Sequence, residues 1–139
     1  MASLFSLLCH VCGLSQRESA AFLDAREDTI KSWSSGRRQA PDGVIGQLAE
    51  LADAIDAAAD RLVAAVADNA PPGDGVIELG VASDDAEAQS IGWPCVGAHR
   101  AALGLAVARG MAEGYTFAIV PRGSTVATAA AADVHDLHQ

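Results

Sequence analysis

The chain has 139 residues, half of them apolar, with 30 alanines and only 4% aromatic side chains. That length supports one domain, or two very small modules sharing a core, and the alanine content suits closely packed helices better than an aromatic-rich sandwich. The net charge of −9 excludes nucleic-acid binding through overall charge, because that affinity comes largely from cations on phosphate.

Charge placement is uneven. Arg17, Arg26, Lys31, Arg37 and Arg38 balance Glu18, Asp24, Glu27, Asp28 and Asp42 through residue 45, and the remainder carries the whole −9. The longest apolar run without glycine, residues 62–67, falls far short of the ~18 residues of a membrane span. The N-terminus has neither a basic n-region nor a small-residue cleavage site. Three cysteines, an odd number, do not suit a secreted disulfide framework. A cytoplasmic location is expected.

Apolar residues Leu4, Phe5, Leu8, Val11 and Cys12 form a helical stripe over about 2–12, and Gly13 ends it. Ser15-Gln16-Arg17-Glu18 has the S-x-x-E pattern of a capping box. It opens a second helix with Ala20, Ala21 and Leu23 inward. After a break at Asp24-Ala25-Arg26, a third short helix over about 27–35 places Ile30 and Trp33 inward, and Gly36 stops it. Pro41 suits the start of a long helix over about 42–68. There Leu48, Leu51, Ile55, Ala58, Leu62 and Ala65 recur at alternating spacings of three and four, a heptad seam. Such a seam serves either its own domain or a dimer. Leu48, Leu51, Ile55, Leu62 and Val66 are the expected dimerisation residues.

Residues 69–75, with two prolines and two glycines, read as a linker. Beyond it come a strand over 76–82, helices over about 84–90 and 95–113 interrupted at Gly92-Trp93-Pro94, and a strand over 115–120. This is a βαβ-like unit. Two strands alone make a marginal sheet, so they are expected to pair with a second subunit or to lie on the helices. The expected fold is mainly α with a small β element. A helix-turn-helix bundle with the long helix spans 1–70, a strand-helix-strand dimerisation part 71–122, and a tail 123–139.

The most specific pattern is Gly13-Leu14-Ser15-Gln16, then Ala20 and Leu23, then Thr29-Ile30-Lys31-Ser32-Trp33, then Gly36-Arg37-Arg38. Over about residues 3–50 it resembles the lambda-repressor-like (XRE-type) helix-turn-helix family. Asp24-Ala25 stands where that family usually has glycine and an aliphatic residue, and Asp24 can tolerate left-handed geometry. The resemblance implies that the second helix crosses the DNA backbone while the third enters the major groove. It places Ser15 and Gln16, with Arg17 beside them, near a phosphate. It puts Arg26, Glu27, Asp28, Lys31 and Ser32 on the exposed reading face, and Arg37 and Arg38 against the backbone. Trp33-x-x-Gly36 followed by Ala40-Pro41-Asp42-x-Val44 and a long helix is also similar to the YdiL-like proteins and the anti-CRISPR-associated repressors. That resemblance implies a homodimer that represses its own operon at an inverted repeat in double-stranded DNA.

Other constellations carry less. Cys9-x-x-Cys12 and Cys95-x-x-x-His99 together hold four zinc-type ligands, but they lie in different parts of the chain, and Cys12 reads as a small core residue. Trp93 beside Pro94 reads as an anchor in the core rather than a pocket wall. No phosphate-binding glycine loop, H-E-x-x-H or G-x-S-x-G is present. The expectation is therefore a DNA-binding transcriptional regulator with no catalytic residues, cofactor or metal. The alternatives are an antitoxin-type interaction module that neutralises a protein partner through its acidic C-terminal part, or a ligand-sensing regulator.

Overall fold

Helix boundaries fall where caps and stops put them. The computed structural model describes residues 2–69, 71–73 and 75–123. Helix α1 runs Leu4–Val11, α2 Gln16–Leu23, α3 Glu27–Ser35 and α4 Asp42–Asn69. Ser3 caps α1 by accepting from the Ser6 N–H, and its hydroxyl donates to the Trp33 carbonyl at 2.8 Å, so one cap also ties α1 to the end of α3. Ser15 and Glu18 form the expected capping box at α2. Gly36, at φ 81°, closes α3 in the left-handed region, which glycine enters without steric cost.

Strand β1 (Val76–Val81), α5 (Asp85–Ser90), α6 (Val96–Ala112) and β2 (Thr116–Pro121) complete the described chain. The strands pair in parallel with each other, from Val76 opposite Thr116 to Val81 opposite Pro121. A parallel pair needs a long crossover, supplied here by α5 and α6. The sheet lies against α6, where the Phe117 ring sits over Gly110 in the space a Cβ would fill.

The heptad seam is spent inside one chain. Leu48, Leu51, Ile55, Leu62 and Val66 are between 0 and 7% exposed in a single copy, because α1 packs on one part of α4 and α6 on another. The expected assignment of these residues to a dimer interface is therefore corrected: no part of that stripe is left for a second chain. Arg109 of α6 reinforces the α4–α6 contact by donating to Asp56 and, at 2.7 Å, to Asp60. The linker joins two parts that share a core. A single apolar cluster extends from Phe5 through Leu62 to Leu103 and Tyr115, and includes Trp93 as the sequence suggested. Residues 124–139, read above as a tail, lie outside the described residues. No helix among the described residues is long and apolar enough to cross a membrane.

Helix α1 presents a different face from the expected one. Phe5, Cys9 and Cys12 point inward, whereas Leu4 and Val11, counted in the inner stripe above, are 64 and 55% exposed, with Leu7 beside them at 57%. Two overlapping stripes exist in this apolar segment, and packing against α3 and α4 selects one.

His99 sits at the junction of α6 with the end of β1. It is 2% exposed, and its Nε2 accepts from the Ala82 N–H at 3.1 Å, so the imidazole is held neutral with its proton on Nδ1. Burial, together with Arg122 and Arg100 and against the opposing effect of Glu87, lowers its pKa to about 4. Because the folded value lies below the ordinary one of about 6.5, this contribution is complete above pH 6.5. It is lost as pH falls from there to about 4. At about 1.4 kcal/mol per unit, the loss is on the order of 3 kcal/mol. Denaturant titrations at pH 7 and pH 4.5 should show this fall for the wild type and a much smaller one for His99→Gln, whose amide can still accept from Ala82.

Candidate nucleic-acid interface

The α2–turn–α3 unit is built from a cap, a left-handed corner and a two-residue apolar anchor. Asp24 has φ 52° and ψ 51°, the one non-glycine residue among those described with positive φ. It supplies the left-handed corner where a glycine is more usual, as an acidic side chain can. The Ala25 N–H then bonds to the Ala20 carbonyl at 3.0 Å, which closes the end of α2. On α3, Ile30 is 1% and Trp33 7% exposed, and the Trp33 indole meets Phe5 edge-to-face with centroids 5.4 Å apart. These two anchors fix which side of α3 faces outward.

That outward side carries the residues singled out from the sequence. Arg26, Glu27, Asp28 and Lys31 are exposed and Ser32 is half-buried. Arg26 is the N-cap residue of α3 and makes no side-chain cap bond. Arg37 and Arg38 follow in an exposed loop whose backbone is tied to α3: the Arg38 N–H bonds to the Ser32 carbonyl at 3.2 Å, and the Arg37 N–H to Ser35 Oγ at 3.3 Å. Their side chains are therefore held beside the helix while their charges stay in solvent.

Ser15, Gln16 and Arg17 are exposed at the start of α2, but they have an acidic neighbour that the sequence did not announce. Asp85 of α5 stands 3.9 Å from Arg17, and the two side chains are 36 and 73% exposed. An exposed pair at that separation contributes little to stability. It does reduce the positive potential available to a phosphate at this end of α2.

Glu18 does more than cap. One carboxylate oxygen accepts from the Ser15 N–H at 3.0 Å and the other from the Gly97 N–H at 3.1 Å. Burial alone would raise its pKa, but the hydrogen bonds from Ser15 and Gly97 outweigh burial and hold it below the usual carboxylate range. This joint sets the position of α2 on α6. The S-x-x-E pattern revealed the cap; nothing local in the sequence marked its second partner, 79 positions away.

The three cysteines also meet here. Cys9, Cys12 and Cys95 are buried and free, and burial, with the neighbouring Cys9 and Cys95 thiols, pushes Cys12 up to about 11. Thiols so disposed are poor nucleophiles at neutral pH. Among the described residues no group of three His, Cys, Asp or Glu side chains is placed to hold a metal ion.

One further surface was not foreseen. Val81, Arg100, Leu103, Gly104, Val107 and Ile119 line an open apolar groove of about 440 Å³ between α6 and the sheet. Ile119 beside it is 53% exposed and Met111 of α6 61%. No protein-family model matches the chain, and no curated protein matches it.

Proposed function

We propose that this chain is a sequence-specific DNA-binding transcriptional regulator that acts as a homodimer and represses by occupying an inverted repeat. The observation that carries the reading is the outward face of α3. Three charged side chains, Glu27, Asp28 and Lys31, stand exposed on a short helix anchored from its other side by Ile30 and Trp33, with Arg26 exposed at its N-cap. A helix so displayed behind a tight turn has the form that enters a major groove. The first 45 residues are neutral overall, so binding depends on where their cations stand, not on their number.

The dimer surface proposed is the C-terminal one. With the α4 seam filled from within, the exposed Ile119 and the open apolar groove that it lines with Val81, Leu103 and Val107 offer an apolar surface to a second copy. A two-stranded sheet is marginal by itself, which favours its extension or cover. A second reading, a protein-interaction module of the antitoxin type, is favoured by a separate observation: Leu4, Leu7 and Val11 form an uncovered apolar stripe along α1. Surface of that kind marks contact sites for other proteins.

Selection of bound duplexes from a random pool tests the first reading. Enrichment of an inverted repeat with half-site centres about 34 Å apart, or a multiple of it, is expected for a dimer of this type. Failure to enrich any sequence, with capture of a protein partner that Leu7→Glu abolishes, would favour the second. Within the first reading, Lys31→Ala should relax preference at one or two base pairs at a cost of about 1–3 kcal/mol. Arg37→Ala should weaken binding to every sequence and lower the salt slope by about one. Binding isotherms on specific and random duplexes at several salt concentrations separate these effects.

A further inference from the structure

The reading face of α3 holds carboxylates, cations and the Ser32 hydroxyl, and lacks an amide. Glu27 and Asp28, when ionised, only accept; Arg26 and Lys31 only donate. All four are exposed, and none is in an ion pair within the described residues. Glu27–Ser35 contains no Asn or Gln. In the major groove a carboxylate accepts from the cytosine N4 amino group, a cationic side chain donates to guanine O6 and N7, and adenine is read by the amide of Asn or Gln. The amide that reads adenine is absent from this helix.

Glu27 and Lys31 stand at i and i+4, so their Cβ atoms lie about 5–6 Å apart on one face. That distance falls between one and two base-pair rises of about 3.4 Å. A carboxylate in the first turn is favoured by the helix's own N-terminal N–H groups, but it repels an approaching phosphate unless the DNA offers it a donor. Among the described residues neither Arg26 nor Lys31 forms an ion pair with Glu27. The donor a G·C pair presents in the groove is cytosine N4.

We infer, resting on the DNA-binding reading above, that each half-site contains two G·C pairs at adjacent or next-adjacent positions, with Lys31 on guanine and Glu27 on cytosine. Glu27 is then a specificity determinant. It lowers affinity for duplexes that lack a cytosine amino group at its position, and the operator is G·C-rich at its contacted centre.

The test uses the full chain and its Glu27→Gln variant, each given the same random duplex pool. The recovered site is then remade with N4-methylcytosine, or with 5-methylcytosine, at the implicated position. Wild type should recover G·C pairs and lose roughly tenfold to a hundredfold in affinity on the N4-methylated duplex, where the methyl group replaces the hydrogen that Glu27 accepts. The 5-methylated duplex should keep that hydrogen available. Glu27→Gln should move the preference at that one pair from cytosine to adenine. Glu27 is exposed, so the variant should fold as the wild type does, and an unchanged circular dichroism spectrum checks this. Half-sites of A·T pairs alone, or an unchanged base preference in Glu27→Gln, would overturn the assignment and leave DNA binding standing. A pool with no enriched sequence would overturn the DNA-binding reading and this assignment with it.

Discussion

Leu62→Asp should abolish the folded state at every protein concentration. Leu62 is 1% exposed on the side of α4 that lies within the core. The substitution removes about 2–3 kcal/mol of apolar burial and leaves a carboxylate without a partner in the interior, a further cost of several kcal/mol. Together these rival the whole stability of a domain, about 5–15 kcal/mol. Ala64→Asp, two residues along the same helix but exposed, should cost only about 1–1.5 kcal/mol, from lost helix propensity and from Asp60 and Asp68 at i−4 and i+4. Thermal unfolding followed by circular dichroism, with sedimentation across a concentration series, separates two cases. A Leu62→Asp protein that remains a folded monomer would return the seam to a subunit interface and contradict the packing described here.

Gly97→Ala should be nearly as damaging, although alanine is the better helix former. A Cβ at Gly97 would run into the backbone carbonyl of Gly13 and lie 2.7 Å from Glu18 Oε1. The Gly13 carbonyl belongs to the α1–α2 turn, where Gly13 has φ 70° and cannot give way without strain. The N-terminus of α6 must then move off that turn, and the Gly97-to-Glu18 bond is lost with it. The removal of that buried acceptor contact and the overpacking together should cost about 3 kcal/mol or more, a fall in Tm on the order of 10 °C for a chain of this size. Gly104→Ala is the matched control. Nothing lies within 4 Å of its Cβ position, and this variant should gain about 0.5–1 kcal/mol. On the DNA-binding reading, Gly97→Ala should also weaken binding in proportion to unfolding, because α2 rests on this joint.

Local chemistry determined most of the element boundaries in advance. Ser15 and Glu18 announced the start of α2, Gly36 the end of α3, Pro41 the start of α4, and two β-branched runs the strands that became Val76–Val81 and Thr116–Pro121. Caps, glycine stops and proline starts act within a few residues, so a linear reading captures them. The outward placement of Asp28 and Lys31 also followed from the inward spacing of Ile30 and Trp33, because one helical face fixes the other, whereas Arg26 is exposed as the N-cap residue.

Tertiary structure decided what each apolar face would meet. The periodicity of α4 was the same whether it served a second subunit or its own chain; only the arrival of α1 and α6 on Leu48 through Val66 resolved it. In α1 nearly every residue is apolar or small, so two stripes were open, and burial of Phe5, Cys9 and Cys12 left Leu4, Leu7 and Val11 outside. The pairing of Glu18 with Gly97, the acidic neighbour of Arg17 and the meeting of the three cysteines all join residues far apart in sequence. Hydrophobic burial is non-directional and depends on area. A sequence can therefore state that a face must be covered, while the cover itself is chosen by the elements that reach it.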